Sequence, residues 1–233
     1  RNLSRLQNVP NTVGFIEAFY DPVTRRGNLV FEYCESGNLQ SLVQTSPALE
    51  EPFIRLVATQ LLTVLVQFQS LQVVHRDIVL RNIFLCDAKD LSRGVKLGGF
   101  GLAELAGSQS LLFSKGWSVC KPPDIFPASA SDVWSLGCVL HCLICHIDPE
   151  QMDAKEQSLA AMSLGERRKQ RQQAQLDRNF SHELVALVDA MMQNSVGHRV
   201  GASQALDRLT QKRPEFYETL KLTLEPDIKL DPL

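Results

Sequence analysis

What the 233-residue chain lacks narrows its class. No uninterrupted apolar run reaches the roughly 18 residues of a membrane-crossing helix, and the start carries no signal peptide, so no membrane partner is expected. Neither sign of charge dominates: 24 Lys and Arg stand against 26 Asp and Glu, for a net charge of −2. That balance gives no electrostatic case for nucleic acid as a partner. Cysteine is sparse and scattered, six in all. Such usage suits a reducing compartment rather than a disulfide framework, and predicts an intracellular, cytoplasmic protein. There is no internal repeat and no low-complexity stretch. Asn2-Leu3-Ser4 and Asn179-Phe180-Ser181 fit the glycosylation pattern, yet without a secretory signal they read as ordinary residues. The first residue is Arg1 rather than Met, and the chain reads as a piece of something longer.

What is present is an ordinary globular composition, 44% hydrophobic and 21% charged, enough for one large domain or two small ones. Residues 13–20 and 29–33 are rich in aromatic and β-branched residues and flank Asp21-Pro22 and Arg25-Arg26-Gly27, which predicts a hairpin. Glu35-Ser36-Gly37-Asn38 breaks it, and a short helix begins at Leu39. Residues 50–71 predict a long helix, with Phe53, Val57, Leu61, Val64, Phe68 and Leu71 at three- and four-residue steps. Its Val and Thr residues are weak helix formers, so packing must hold it. Residues 83–86 and 95–97 form a second hairpin pattern around a polar, Gly-bearing turn. A very apolar helix runs from Asp132 to about 145, followed by polar residues 153–176 and helices at 181–193 and 202–211. Ser181 is a plausible cap, and Pro214 ends the last of these before a short helix to about 222 and a tail.

The second hairpin organises the chain. It is entered through His75-Arg76-Asp77-Ile78-Val79-Leu80-Arg81-Asn82 and left through Gly98-Gly99-Phe100-Gly101. Loops held by a rigid pair of strands commonly carry function. This stretch resembles the catalytic loop and the DFG segment of protein kinases. In that family the loop Asp takes the substrate hydroxyl proton, the Asn holds one Mg²⁺ and the DFG Asp holds the metals on ATP. Asp77 and Asn82 match; Gly99 stands where the DFG Asp would be. Phe31-Glu32-Tyr33-Cys34 resembles the kinase hinge, whose backbone holds adenine, with Phe31 as gatekeeper. Lys121-Pro122-Pro123-Asp124 resembles the APE motif, Asp132-Val133-Trp134 opens the helix that follows it, and the resemblance pairs Arg199 with Asp124. The flavour of several motifs is similar to the NIMA-related Ser/Thr kinases, although Arg81-Asn82 resembles the tyrosine-kinase loop.

The resemblance implies an α+β, protein kinase-like fold: residues 1–34 as the remnant of the N-lobe, 35–213 as a mostly helical C-lobe and 214–233 as a tail. Residues that hold this fold are kept: His75, Phe100, Gly101, Asp132, Arg199 and, conservatively, Asp124. Those that transfer phosphate are half gone. The Gly-rich loop, the strand Lys and its partner Glu do not occur, Val79 replaces the catalytic-loop Lys, and Gly99 replaces the metal-holding Asp. Phosphoryl transfer is positioning and charge neutralisation, so these losses predict a pseudokinase that works as a scaffold for protein partners or by allostery. ATP and Mg are the cofactors the resemblance implies, with Asn82 the remaining metal ligand. The alternatives are an active Ser/Thr kinase whose N-lobe lies upstream, and a fragment left unable to fold by its open-edged strands.

Three further patterns have two readings each. Cys138, Cys142 and Cys145 share a helix face beside His141, a zinc pattern, but buried Cys used as a small hydrophobe is the favoured reading. The basic run 167–171 reads as a solvated helix face rather than a dock for an acidic partner. Ser108, Ser110 and Ser114 are either phosphosites for Arg76 or plain loop serines.

Overall fold

The computed structural model describes residues 9–105, 120, 123, 129–148, 159 and 162–210. The chain opens with an antiparallel hairpin, β1 (Phe15–Asp21) and β2 (Arg26–Phe31), in register from Glu17↔Val30 to Asp21↔Arg26, with the register shifting between Phe15 and Glu17. The turn is tighter than the sequence pattern implies. The Asp21 carboxylate accepts the Val23 amide at 2.9 Å and the Thr24 hydroxyl at 2.6 Å. Closing the turn over residues 22–25 starts β2 at Arg26, not at 29, and ends it before Glu32. Segment 11–13 runs beside the second hairpin, where Leu97 donates to Asn11 O and Val13 to Leu97 O, each at 2.8 Å.

Helix α1 (Leu39–Thr45) is capped by Asn38, whose side chain accepts the Ser41 amide at 3.0 Å. Helix α2 (Glu51–Ser70) is the core helix. It has the length and apolar content of a membrane-crossing helix, more than the uninterrupted runs suggest, but 72% of its most apolar window is buried inside the domain. Thr59 and Thr63 satisfy their hydroxyls on the carbonyls one turn back, both at 2.8 Å, which lets these weak helix formers face packed surroundings. Buried Gln60 reaches across to accept the Val95 amide at 2.8 Å. Gly94, at φ +76°, lies so close under Gln60 that a Cβ would fall 2.2 Å from its side-chain oxygen. Only glycine fits there.

Strand β3 (Val73–Val74) pairs with β6 (Glu104–Leu105), and β4 (Ile83–Leu85) with β5 (Val95–Leu97), as the sequence pattern of the second hairpin predicts. Helix α3 (Ser129–Cys145) starts before Asp132 and is buried on almost every side. Cys138 and Cys142 are fully buried, in accord with their reading as small hydrophobes. Helices α4 (Leu164–Arg178), α5 (His182–Met191) and α6 (Ala202–Thr210) complete the described part. Ser163 and Glu166 form a reciprocal capping box at the start of α4, and Ser181 caps α5.

The basic run is not a solvated face. Arg167 and Arg171 are fully buried, while Arg168 is half-exposed. Arg171 and Arg168 both pair with Asp189 of α5. Arg167 reaches the carbonyls of Leu159 (2.7 Å) and Met192 (3.3 Å) and the Asn194 side chain (2.8 Å). Counting charge along the sequence missed this, because the periodicity of α4 turns these two arginines onto its inner face while the carboxylate that receives Arg171 comes from another helix.

Candidate functional site

Asp132, at the start of the buried helix α3, builds the floor of the site. Its carboxylate accepts the backbone amides of His75 at 2.7 Å and Arg76 at 2.9 Å. Burial pushes its pKa up to about 6, against the pull of those two amides and of the Arg76 charge. The fully buried His75 ring accepts the Asp77 amide on Nδ1 at 3.2 Å, which leaves Nε2–H to donate to Gly98 O at 2.9 Å. Burial lowers its pKa to about 4, so the ring is the neutral link between the two loops. It packs edge-on against Phe100 at 5.3 Å, and Phe100 stacks on Phe31 at 6.2 Å. A chain of rings therefore ties the hinge to both loops.

Asp77 and Asn82 lie together. The Asn82 amide donates to Asp77 O and to Asp77 Oδ2, each at 2.8 Å. Arg81 stands 3.7 Å from the other carboxylate oxygen. Val79 is buried and faces the core, so it offers this site nothing. Gly99 takes the left-handed conformation, φ +78° and ψ 37°. A Cβ there would lie 2.4 Å from Cγ of Asn82. The carboxamide thus occupies the space in which a side chain at position 99 would begin.

Arg76, also left-handed at φ +71°, sends its buried guanidinium to Glu104 of β6 at 2.6 Å. Ser108, Ser110 and Ser114 lie outside the described residues, as does Asp124, the expected partner of Arg199. Arg199 donates to Ala130 O at 2.8 Å and lies 5.2 Å over Trp134, whose ring also carries Arg167 at 4.9 Å. In the hinge, Tyr33 projects into solvent and Cys34 is half-buried. Glu32 accepts the Gly14 amide at 2.9 Å and pairs with Lys96 at 2.7 Å. Sequence reading missed the Glu32–Lys96 and Arg76–Glu104 pairs, since each joins residues with no motif in common. His141 uses its two ring nitrogens on Gln170 at 3.1 Å and Arg171 at 2.9 Å, so its stronger contacts are not to cysteine.

These residues do not fit the Mg²⁺ ions that kinases carry on ATP. Metal on the phosphates needs carboxylate oxygens. Here position 99 supplies no oxygen from a side chain, and Asn82 fills the room for one while bonded to Asp77.

A family model described as protein kinase domain matches residues 1–209. Nek2 of Homo sapiens, a serine/threonine-protein kinase, is 28% identical over 88% of this chain and 47% of its own length. Nek2 of Mus musculus is 33% identical over 64% of the chain and 36% of its own length. The cell cycle serine/threonine-protein kinase CDC5/MSD2 of Saccharomyces cerevisiae is 30% identical over 61% of the chain and 20% of its own. Among solved structures, Rad53 in complex with AMP-PNP superposes with a TM-score of 0.69 at 24% identity, a likeness of fold covering 89% of this chain and 53% of that one. The chain thus spans from a fifth to about half of the length of these three curated relatives.

Proposed function

The chain belongs to the protein kinase family, and we propose that it serves there as a catalytically impaired, cytoplasmic kinase-fold module that acts by engaging protein partners. One observation carries this reading: Gly99 has no metal ligand, and the Asn82 carboxamide occupies the space where one would start. Metal stabilisation of a transferring phosphoryl group is worth several kcal/mol. A loss of about 4 kcal/mol slows a step roughly a thousandfold. Buried Val79 returns none of that charge.

The test is a thermal shift of the 233-residue chain with an ATP analogue, with and without Mg²⁺. A ligand that binds only the folded state raises the melting point, by more the further its concentration exceeds its Kd. The expected result is no gain from adding Mg²⁺. Metal-dependent phosphate transfer that Asp77→Ala abolishes would sink the reading. It would favour the second one, a Ser/Thr kinase with unusual metal use whose N-lobe precedes this chain. That second reading draws on the surviving contact between Asp77 and Asn82.

A further inference from the structure

A cavity of about 430 Å³ opens beside the hinge, and none of Phe31, Asp77, Asn82 or Gly99 lines it. Its walls include two cysteines, Cys34 of the hinge and Cys86 at the end of β4, together with Glu32, Arg93 and Lys96. We propose that Cys34 and Cys86 are a reversible redox pair, oxidised by a low-molecular-weight disulfide of the glutathione class to an intramolecular disulfide that fastens the hinge to the β4–β5 turn.

The backbone already holds the two segments together. Gly37 N–H turns back on Cys34 O at 3.4 Å, and Gly37 O accepts from Leu85, the neighbour of Cys86, at 3.0 Å. Cys86 itself is anchored by its amide to Gly94 O at 3.0 Å. Both thiols are half-buried and open to one cavity, whereas Cys120, Cys138 and Cys142 are buried in the core. Arg93, whose side chain is largely exposed, can face a carboxylate of the oxidant, while Glu32 and Lys96 neutralise each other in the cavity wall.

The chemistry balances without any further reagent. The Cys86 thiolate attacks one sulfur of the small disulfide, forms a mixed disulfide and expels one thiolate, which takes up a proton. The Cys34 thiolate then attacks Cys86 Sγ and expels the second. Two protein thiols lose two electrons, one small disulfide gains them, and both protons leave on the released thiols. Lys96 favours the thiolate and Glu32 opposes it at both sulfurs, and Arg93 adds a second favourable charge at Cys86 alone, which makes Cys86 the first to attack. Burial holds both thiols above their usual range, so the exchange quickens as pH rises.

The experiment exposes the native chain to oxidised glutathione, alkylates free thiols and maps tryptic peptides without reduction. The expected product joins Gly27–Arg55 to Asn82–Lys89, two hydrogens lighter than the separate peptides. It is reversed by dithiothreitol, forms faster at higher pH, and raises the melting point by several degrees. Cys34→Ser should leave a stable glutathione adduct on Cys86. Stable adducts on the unsubstituted protein with no joined peptide would overturn the proposal. So would failure of both thiols to react in the native chain while the unfolded chain reacts.

Discussion

Gly99 is the residue on which the reading of this molecule turns, and its conformation makes a stability prediction independent of catalysis. At φ +78° a β-carbon is strained, and the Asn82 carboxamide stands in its way. Left-handed backbone costs a non-glycine residue about 1–2 kcal/mol, before any clash. Gly99→Asp, the reversion that would recreate the family motif, should therefore lower stability by about 2 kcal/mol or more. Chemical denaturation measures it. Adding Asn82→Ala to Gly99→Asp should recover part of the loss, because the second change removes the obstructing atoms. A reversion that leaves the midpoint unchanged would mean that the two loops are not closed on each other.

Pairs of elements carry their own tests. Strand β6 presents Glu104 to Arg76, whose side chain is 2% exposed. This carboxylate belongs to the chain itself, so the catalytic loop is held without a phosphate on the serines that follow. Glu104 is a quarter exposed, which weakens the pair through solvent screening. Glu104→Gln should still cost about 1–2 kcal/mol, the usual loss when a hydrogen bond to a buried charged group is weakened. Glu104→Lys should cost more. Equal midpoints for both variants in a denaturant titration would rule the contact out as a contributor. Between α4 and α5, Asp189 answers a fully buried Arg171. Asp189→Asn strips that buried guanidinium of its counter-charge, and a loss on the order of 3 kcal/mol is expected from thermal unfolding.

Across the whole molecule, stability should fall as the solution is acidified below neutrality. His75 and His141 have folded pKa values of about 4 and about 3, both depressed by burial from 6.5. Their contribution is fully present above the unfolded value and is lost as pH falls toward the folded ones. At pH 5 each has given up about 2 kcal/mol, at 1.36 kcal/mol per pH unit. Asp132 acts the other way: with a folded pKa of about 6, its contribution grows as pH falls from 6 to its ordinary 3.8. From pH 7 to 6 the histidines act alone, and below that two losses face one gain. Melting points recorded from pH 7.5 to 5 should therefore decline. His141→Gln should flatten the slope whatever it does to the midpoint, because His141 sits against Arg171 and must be neutral there. A flat profile in the unsubstituted protein would refute both assignments.

Local pattern was enough for the long helix over 51–70 and the β4–β5 hairpin, because each depends on short-range spacing. It was enough, too, for the absence of a metal-holding carboxylate at position 99, which is a matter of residue identity alone. Tertiary structure decided the rest. Burial of Arg167 and Arg171 depends on which face of α4 meets α3 and α5, and no count of charges along the chain contains that information. The Arg76–Glu104 and Glu32–Lys96 pairs join segments 28 and 64 residues apart in sequence, brought together only when the strands pair. The difference between a metal site that merely lacks a ligand and one whose space is filled rests on how near Asn82 comes to position 99, where a β-carbon would lie 2.4 Å from its Cγ. Distances of that kind exist only after packing has set both backbones.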